Sequence, residues 1–72
     1  MAPNPTIQIQ LNGEPREVPE GFSATELVAS LGLAPELVAI EINAKLCPKS
    51  ERDNTRLASG DSIELVTLVG GG

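Results

Sequence analysis

The sequence predicts an α+β fold, a mixed β-sheet with one main helix packed on one of its faces, and three stretches carry that expectation. TIQIQLNG alternates apolar and polar residues up to a turn dipeptide, FSATELVASLG holds the start and stop signals of a helix, and SIELVTLV is apolar enough for a central strand. The predicted order of elements is β-β-α-β-β-β.

In the first element Ile7, Ile9 and Leu11 alternate with Gln8 and Gln10, the period-two pattern of a half-buried strand. Asn12-Gly13 follows, a dipeptide that accepts the positive φ angles of a two-residue hairpin turn. The second strand, Glu14 to Val18, contains Pro15, which has no N–H to donate, so it belongs at a sheet edge. Ser23 then caps a helix, and Glu26, three residues on, completes a capping box, with Phe22 and Leu27 at the staple positions. Ala24, Leu27, Val28 and Leu31 share one apolar helix face, and Gly32 stands where a left-handed cap ends it.

After Pro35, LVAIEIN sets Val38, Ile40 and Ile42 against Ala39 and Glu41 as a third strand. Asn43-Ala44 turns the chain into a short fourth strand, KLCP, which Pro48 ends. Residues 49–58 are polar enough for a connecting loop with about one helical turn, anchored in the core by Leu57. Ser59-Gly60-Asp61 supplies turn chemistry. In the last strand Ile63, Leu65 and Val69 lie on one face and Val66 and Leu68 on the other. That pattern suits a central strand buried on both sides, although the residues alone leave open whether Val66 and Leu68 instead form an exposed apolar patch beside the tail. A hairpin, a helix across one sheet face and a last strand returning beside the first make the β-grasp, or ubiquitin-like, layout.

Composition narrows the function. A chain of 72 residues has room for one domain and one small core, since it buries only about 60% of its extended surface. Residues 1–72 therefore read as one domain with 70–72 as a mobile tail. With no histidine, tryptophan or tyrosine, the usual general base, the commonest metal ligand and most stacking side chains are missing, so neither a catalytic residue nor a metal site is assigned. A net charge of −5 opposes nucleic-acid binding. No apolar run approaches the roughly 20 residues of a membrane span and no signal segment opens the chain, so the expected setting is cytoplasmic. The lone cysteine, Cys47, lies in a predicted strand and reads as a small buried apolar side chain rather than a sulfur relay. Glu41 and Glu64 alternate with core residues and face water rather than forming an acid/base pair. The acids gather in residues 1–44, an asymmetry that can steer docking to a basic partner as readily as it can mark a solvated surface.

The stretch from VAIEINAKLCPKS through LASGDSIELVTLVGGG resembles the bacterial ThiS sulfur carriers of thiamine biosynthesis, over nearly the whole chain. The resemblance rests on the strand ending at Asn43, on Pro48, on the spaced run Leu57, Gly60, Asp61, Ile63 and Glu64, and on the terminal glycines. Ala44 departs from a frequent glycine, Arg52 from a common aromatic residue and Cys47 from an aliphatic one. The resemblance implies that the Gly72 carboxylate is adenylated with ATP by a ThiF-type enzyme and converted to a thiocarboxylate. Its sulfur then goes to a ThiG-type thiazole synthase. It implies a sulfur-donor enzyme such as a cysteine desulfurase as a further partner, and no cofactor bound by this chain, which is a cosubstrate and not an enzyme. Gly70 and Gly71 would thread the partner's channel: an extended segment advances about 3.3–3.6 Å per residue, so three residues reach roughly 10 Å, and glycine adds no Cβ to obstruct the way.

Three other readings share some of these features. A MoaD-like small subunit of molybdopterin synthase has the same layout and tail chemistry, but residues 65–72 lack the proline-rich approach common there. A ubiquitin-like modifier would carry arginines before the glycines, where Thr67, Leu68 and Val69 stand. A pure binding module would keep its activity after loss of Gly72.

Overall fold

The computed structural model describes residues 5–68. Its strands are β1 (Thr6–Leu11), β2 (Glu14–Pro19), β3 (Val38–Ile42), β4 (Lys45–Cys47) and β5 (Ser62–Thr67), and its helix is α1 (Ala24–Ser30). Short 3₁₀ segments at Pro35–Leu37 and Lys49–Asn54 complete the order. The five strands form one sheet in the order β2-β1-β5-β3-β4, so β5 is central and the proline-bearing β2 is an edge, as the sequence predicts. β1 and β5 run parallel, and the other neighbouring pairs are antiparallel.

Both hairpins turn on two residues with positive φ, the mark of a type I′ turn: Asn12 at 51° with Gly13 at 84°, and Asn43 at 52° with Ala44 at 69°. The capping box forms as expected. The Glu26 N–H donates to Ser23 Oγ at 3.1 Å and the Ser23 N–H to Glu26 Oε1 at 2.9 Å. Past Leu31 the chain leaves the helix through Gly32, whose φ of +71° suits the left-handed position.

The core lies between the sheet and one layer made by α1 and the segment after β4. Ile9, Ile40, Ile63 and Val38 from the strands meet Ala24, Leu27 and Val28 from α1, with Leu57 and Cys47 closing the edge, all buried. Burying each large aliphatic side chain of this set contributes about 1.5–3 kcal/mol. Leu57 is thus the anchor expected of it, and Cys47 is a packed side chain.

Three expectations need correction. The stretch 49–58 holds a six-residue 3₁₀ helix rather than a single helical turn in a loop, and a second 3₁₀ turn precedes β3. Arg52, in the polar connecting stretch, is buried at 5% exposure. Its Nη1 donates to the Pro35 carbonyl at 2.9 Å and its Nη2 to that of Val38, tying the two 3₁₀ segments together. Finally, β5 is not buried on both sides. With one helical layer in the fold, only one sheet face is covered, and Val66 and Leu68 point out of the other. Among the described residues no helix is long and apolar enough to cross a membrane.

Candidate functional site: the end of the central strand

β5 carries the chain toward its glycines, and the sheet holds it along its whole length. On one side β3 pairs with it from Ile42↔Ile63 to Val38↔Thr67, and the Leu68 N–H extends the ladder to the Leu37 carbonyl at 2.6 Å. On the other side β1 pairs only at Gln10↔Ser62 and Leu11↔Ile63 before it turns away. Asn12 then takes over. Its N–H donates to the Ile63 carbonyl at 2.8 Å, and its side-chain oxygen accepts the Leu65 N–H at 2.8 Å.

The start of β5 is clipped in the same manner. Asn43 Nδ2 donates to Asp61 Oδ1 at 2.9 Å, Asn43 Oδ1 accepts the Ser62 N–H at 3.0 Å, and Asp61 Oδ2 accepts the Ala58 N–H at 2.8 Å. Short Asn and Asp side chains at turns satisfy nearby backbone groups in this way. The sequence marks Asn12, Asn43 and Asp61 as turn residues. Their spacing does not show that all three serve one strand, because that depends on β1, β3 and β5 being neighbours in space.

The uncovered sheet face beside this strand end is apolar. Leu37, Val66 and Leu68 are 46%, 52% and 48% exposed, and Leu46 on β4 is 66% exposed. The register sets Ala39 opposite Val66, with Leu37 and Leu68 joined at the next rung. Leu37, Val66 and Leu68 therefore gather at the end of β5, while Leu46, opposite Glu41, stands level with Glu64 near the start of that strand. A contiguous exposed apolar patch at this place is a candidate interaction surface. Of the two readings the sequence leaves open for Val66 and Leu68, the exposed patch is the one found.

The remaining candidates do not join this site. Gly70, Gly71 and Gly72, and Val69 before them, lie outside the described residues. Cys47 is on the core side of β4, its thiol 3.7 Å from Thr55 Oγ1. Glu41 and Glu64 are exposed, as expected, on the open face. A shallow groove of about 240 Å³ lies on the helix side between Val28, Pro35 and Lys49, where Lys49 Nζ donates to the Glu36 carbonyl at 3.1 Å and Arg52 holds two carbonyls through Nη1 and Nη2, its buried Nε finding no partner among the described residues. Among the described residues no group of three or more acidic, cysteine or histidine side chains is arranged to hold a metal.

Comparison with known proteins agrees with this geometry. The family model described as the ThiS family matches residues 9–72. An uncharacterized protein, ycf40, of Porphyra purpurea is 41% identical over 69 residues, covering 96% of this chain and 97% of that one. A thiazole synthase of Magnetococcus marinus is 38% identical over 66 residues, which make up 92% of this chain but only 20% of the synthase. The crystal structure of the thiamine biosynthesis protein ThiS of Geobacter metallireducens superposes with a TM-score of 0.80 at 32% identity, covering 92% of this chain and all 100% of that one. With a β-grasp sheet whose central strand leads to the glycines, and with a family match over residues 9–72, this chain belongs to the ThiS family.

Proposed function

We propose that this protein is a sulfur carrier of thiamine biosynthesis in which Gly72 bears the sulfur. The observation that carries the reading is β5: the central strand of the sheet, held on both sides, that leads through Leu68 and Val69 directly into three glycines. A carboxylate joined to such a strand is tethered to a base that is hydrogen-bonded into the sheet as far as Leu68. It is a poor acyl donor until it gains a leaving group. Attack of the Gly72 carboxylate on the α-phosphate of ATP, in a ThiF-type enzyme, releases pyrophosphate and leaves an acyl-adenylate. The terminal sulfur of a persulfide, supplied by a donor such as a cysteine desulfurase, then attacks the acyl carbon and displaces AMP. A thiol reductant cleaves the resulting acyl disulfide, being oxidised to a disulfide with the donor sulfur and leaving the thiocarboxylate.

The carrier itself binds no cofactor in this scheme. Its residues supply the anchored strand, a docking face and a narrow tail, with Gly70 and Gly71 entering the partner's channel at the cost of their ordering entropy. The whole chain acts as one domain with 70–72 as its extension. Thiazole synthase is the proposed acceptor, and the presence of a similar segment within thiazole synthase chains supports that choice.

Intact mass spectrometry tests the reading. After incubation with ATP, a ThiF-type enzyme and a sulfur donor, the mass rises by the exchange of one oxygen for sulfur, and a variant lacking Gly72 shows no change. An unchanged mass of the intact protein, with partners shown to be active, would overturn it.

A further inference from the structure

Asn12 and Asn43 stand at the same place in the two hairpins, each the first residue of a two-residue turn, exposed and at positive φ. Their side chains are held differently. Asn43 is fixed at both ends of its amide, Nδ2 donating to Asp61 Oδ1 and Oδ1 accepting the Ser62 N–H. Asn12 is fixed at one end: Oδ1 accepts the Leu65 N–H, while Nδ2 has no partner among the described residues. The residues that follow differ as well. Gly13 has no Cβ, the space where one would stand is open, and its N–H has no backbone partner among the described residues. Ala44 carries a methyl group beside its nitrogen. Asn12 is the only asparagine of the chain that a glycine follows.

We propose that Asn12 is a site of spontaneous covalent modification, in which the Gly13 backbone nitrogen closes on the Asn12 side-chain amide. Hydroxide takes the Gly13 amide proton, and the nitrogen attacks Cγ. Negative charge then develops on Oδ1, where the Leu65 N–H already donates, in the manner of an oxyanion hole. Nδ2 takes a proton from water and leaves as ammonia, which returns the hydroxide, and a cyclic imide remains. Water opens the imide at either carbonyl. Cleavage at Cγ gives aspartate; cleavage at the α-carbonyl gives isoaspartate, in which the backbone runs through Cβ. No electrons are transferred, and either product carries one more negative charge than the original chain.

The two products act differently on β5. β1 stops pairing at Leu11↔Ile63, so on that side the Asn12 oxygen holds the next rung. Aspartate keeps an oxygen there. Isoaspartate adds a backbone atom to a turn whose two residues match the twist of the flanking strands, and it moves the carboxylate to another carbon, so the Leu65 N–H loses its acceptor. Beyond Ile63 the strand is then held by β3 alone.

The inference stands apart from the carrier reading and is tested on the full chain without partners. The folded protein is held at neutral and mildly alkaline pH, digested in acid, which halts the reaction, and mapped by mass spectrometry, with isoaspartate labelled by an isoaspartyl methyltransferase. Isoaspartate gathers at Asn12 and not at Asn43, faster at the higher pH. Ala44→Gly separates structure from sequence, because it gives Asn43 a following glycine while its amide stays held at both ends. In that variant Asn43 reacts about tenfold more slowly than Asn12, the worth of one hydrogen bond to a charged group. Hydrogen exchange at the Leu65 amide is faster in the isoaspartate form and near that of the wild type in Asn12→Asp. An Asn12 that stays intact while the unfolded chain reacts there, equal rates at Asn12 and Asn43 in Ala44→Gly, or unchanged Leu65 exchange in the isoaspartate form overturns the inference.

Discussion

Ala44 shows what one methyl group does in a turn. It occupies the same position in the second hairpin that Gly13 fills in the first, with φ of 69° against 84°. An L-residue in the left-handed region costs roughly 1–2 kcal/mol, partly offset because glycine loses about 0.4–1 kcal/mol more entropy on folding. Ala44→Gly is therefore expected to stabilise the protein by about 0.5–1 kcal/mol. The check is the denaturant midpoint at unchanged m-value, and a lower midpoint would contradict the account. The resemblance noted in the sequence, with glycine frequent at this position, has the same origin. Arg52 is a different kind of departure. Its guanidinium is buried and donates to two backbone carbonyls, so its charge is taken out of water with bonds in exchange.

At the scale of elements, α1 is the informative case. Seven residues are too few for a helix to stand alone in water, where fewer than about 12–15 are marginal. Its N-terminus is held by the capping box and by backbone bonds to the far segment, Ala24 N–H to the Thr55 carbonyl at 2.9 Å and Leu57 N–H to the Phe22 carbonyl at 2.8 Å. Ser23→Ala removes one arm of the box at a buried position and should cost about 1 kcal/mol or more, read as a fall in the thermal midpoint. The Arg56–Glu26 pair, 64% and 53% exposed, adds little to that end. This helix was legible because its signals are local: a cap, a partner three residues on, and a glycine at the stop. The two Asn-led turns, the alternating strands and the edge position of β2 were legible for the same reason. A helical turn within residues 49–58 was expected, but its six-residue extent and the 3₁₀ turn before β3 were not, because Arg52 reaching across to Pro35 and Val38 is a contact between residues far apart in the chain. The exposure of Val66 and Leu68 was equally hidden, since an apolar residue on a strand reads alike whether a second layer covers it or not.

For the whole molecule, stability and function occupy different parts of the chain. The buried core found among the described residues runs from Ile9 to Ile63, and the proposed chemistry is confined to the final glycine. Removing Gly70, Gly71 and Gly72 together is expected to leave the thermal midpoint within about 2 °C of the wild type while abolishing the mass change, because a few tenths of a kcal/mol shift a domain of this size by no more than that. A midpoint that fell well beyond this would place the glycines among the contacts that hold the fold. The position of β5 has one more consequence, a mechanical one. Force applied through the tail runs along the strand axis, and the rungs to β3, the rungs to β1 and the Asn12 bonds lie across it. They are loaded together in shear rather than opened one after another like a zipper. A partner that grips the end of this chain and later lets it go therefore pulls against the whole sheet, which acts as an anchorage rather than as a thread to be unravelled.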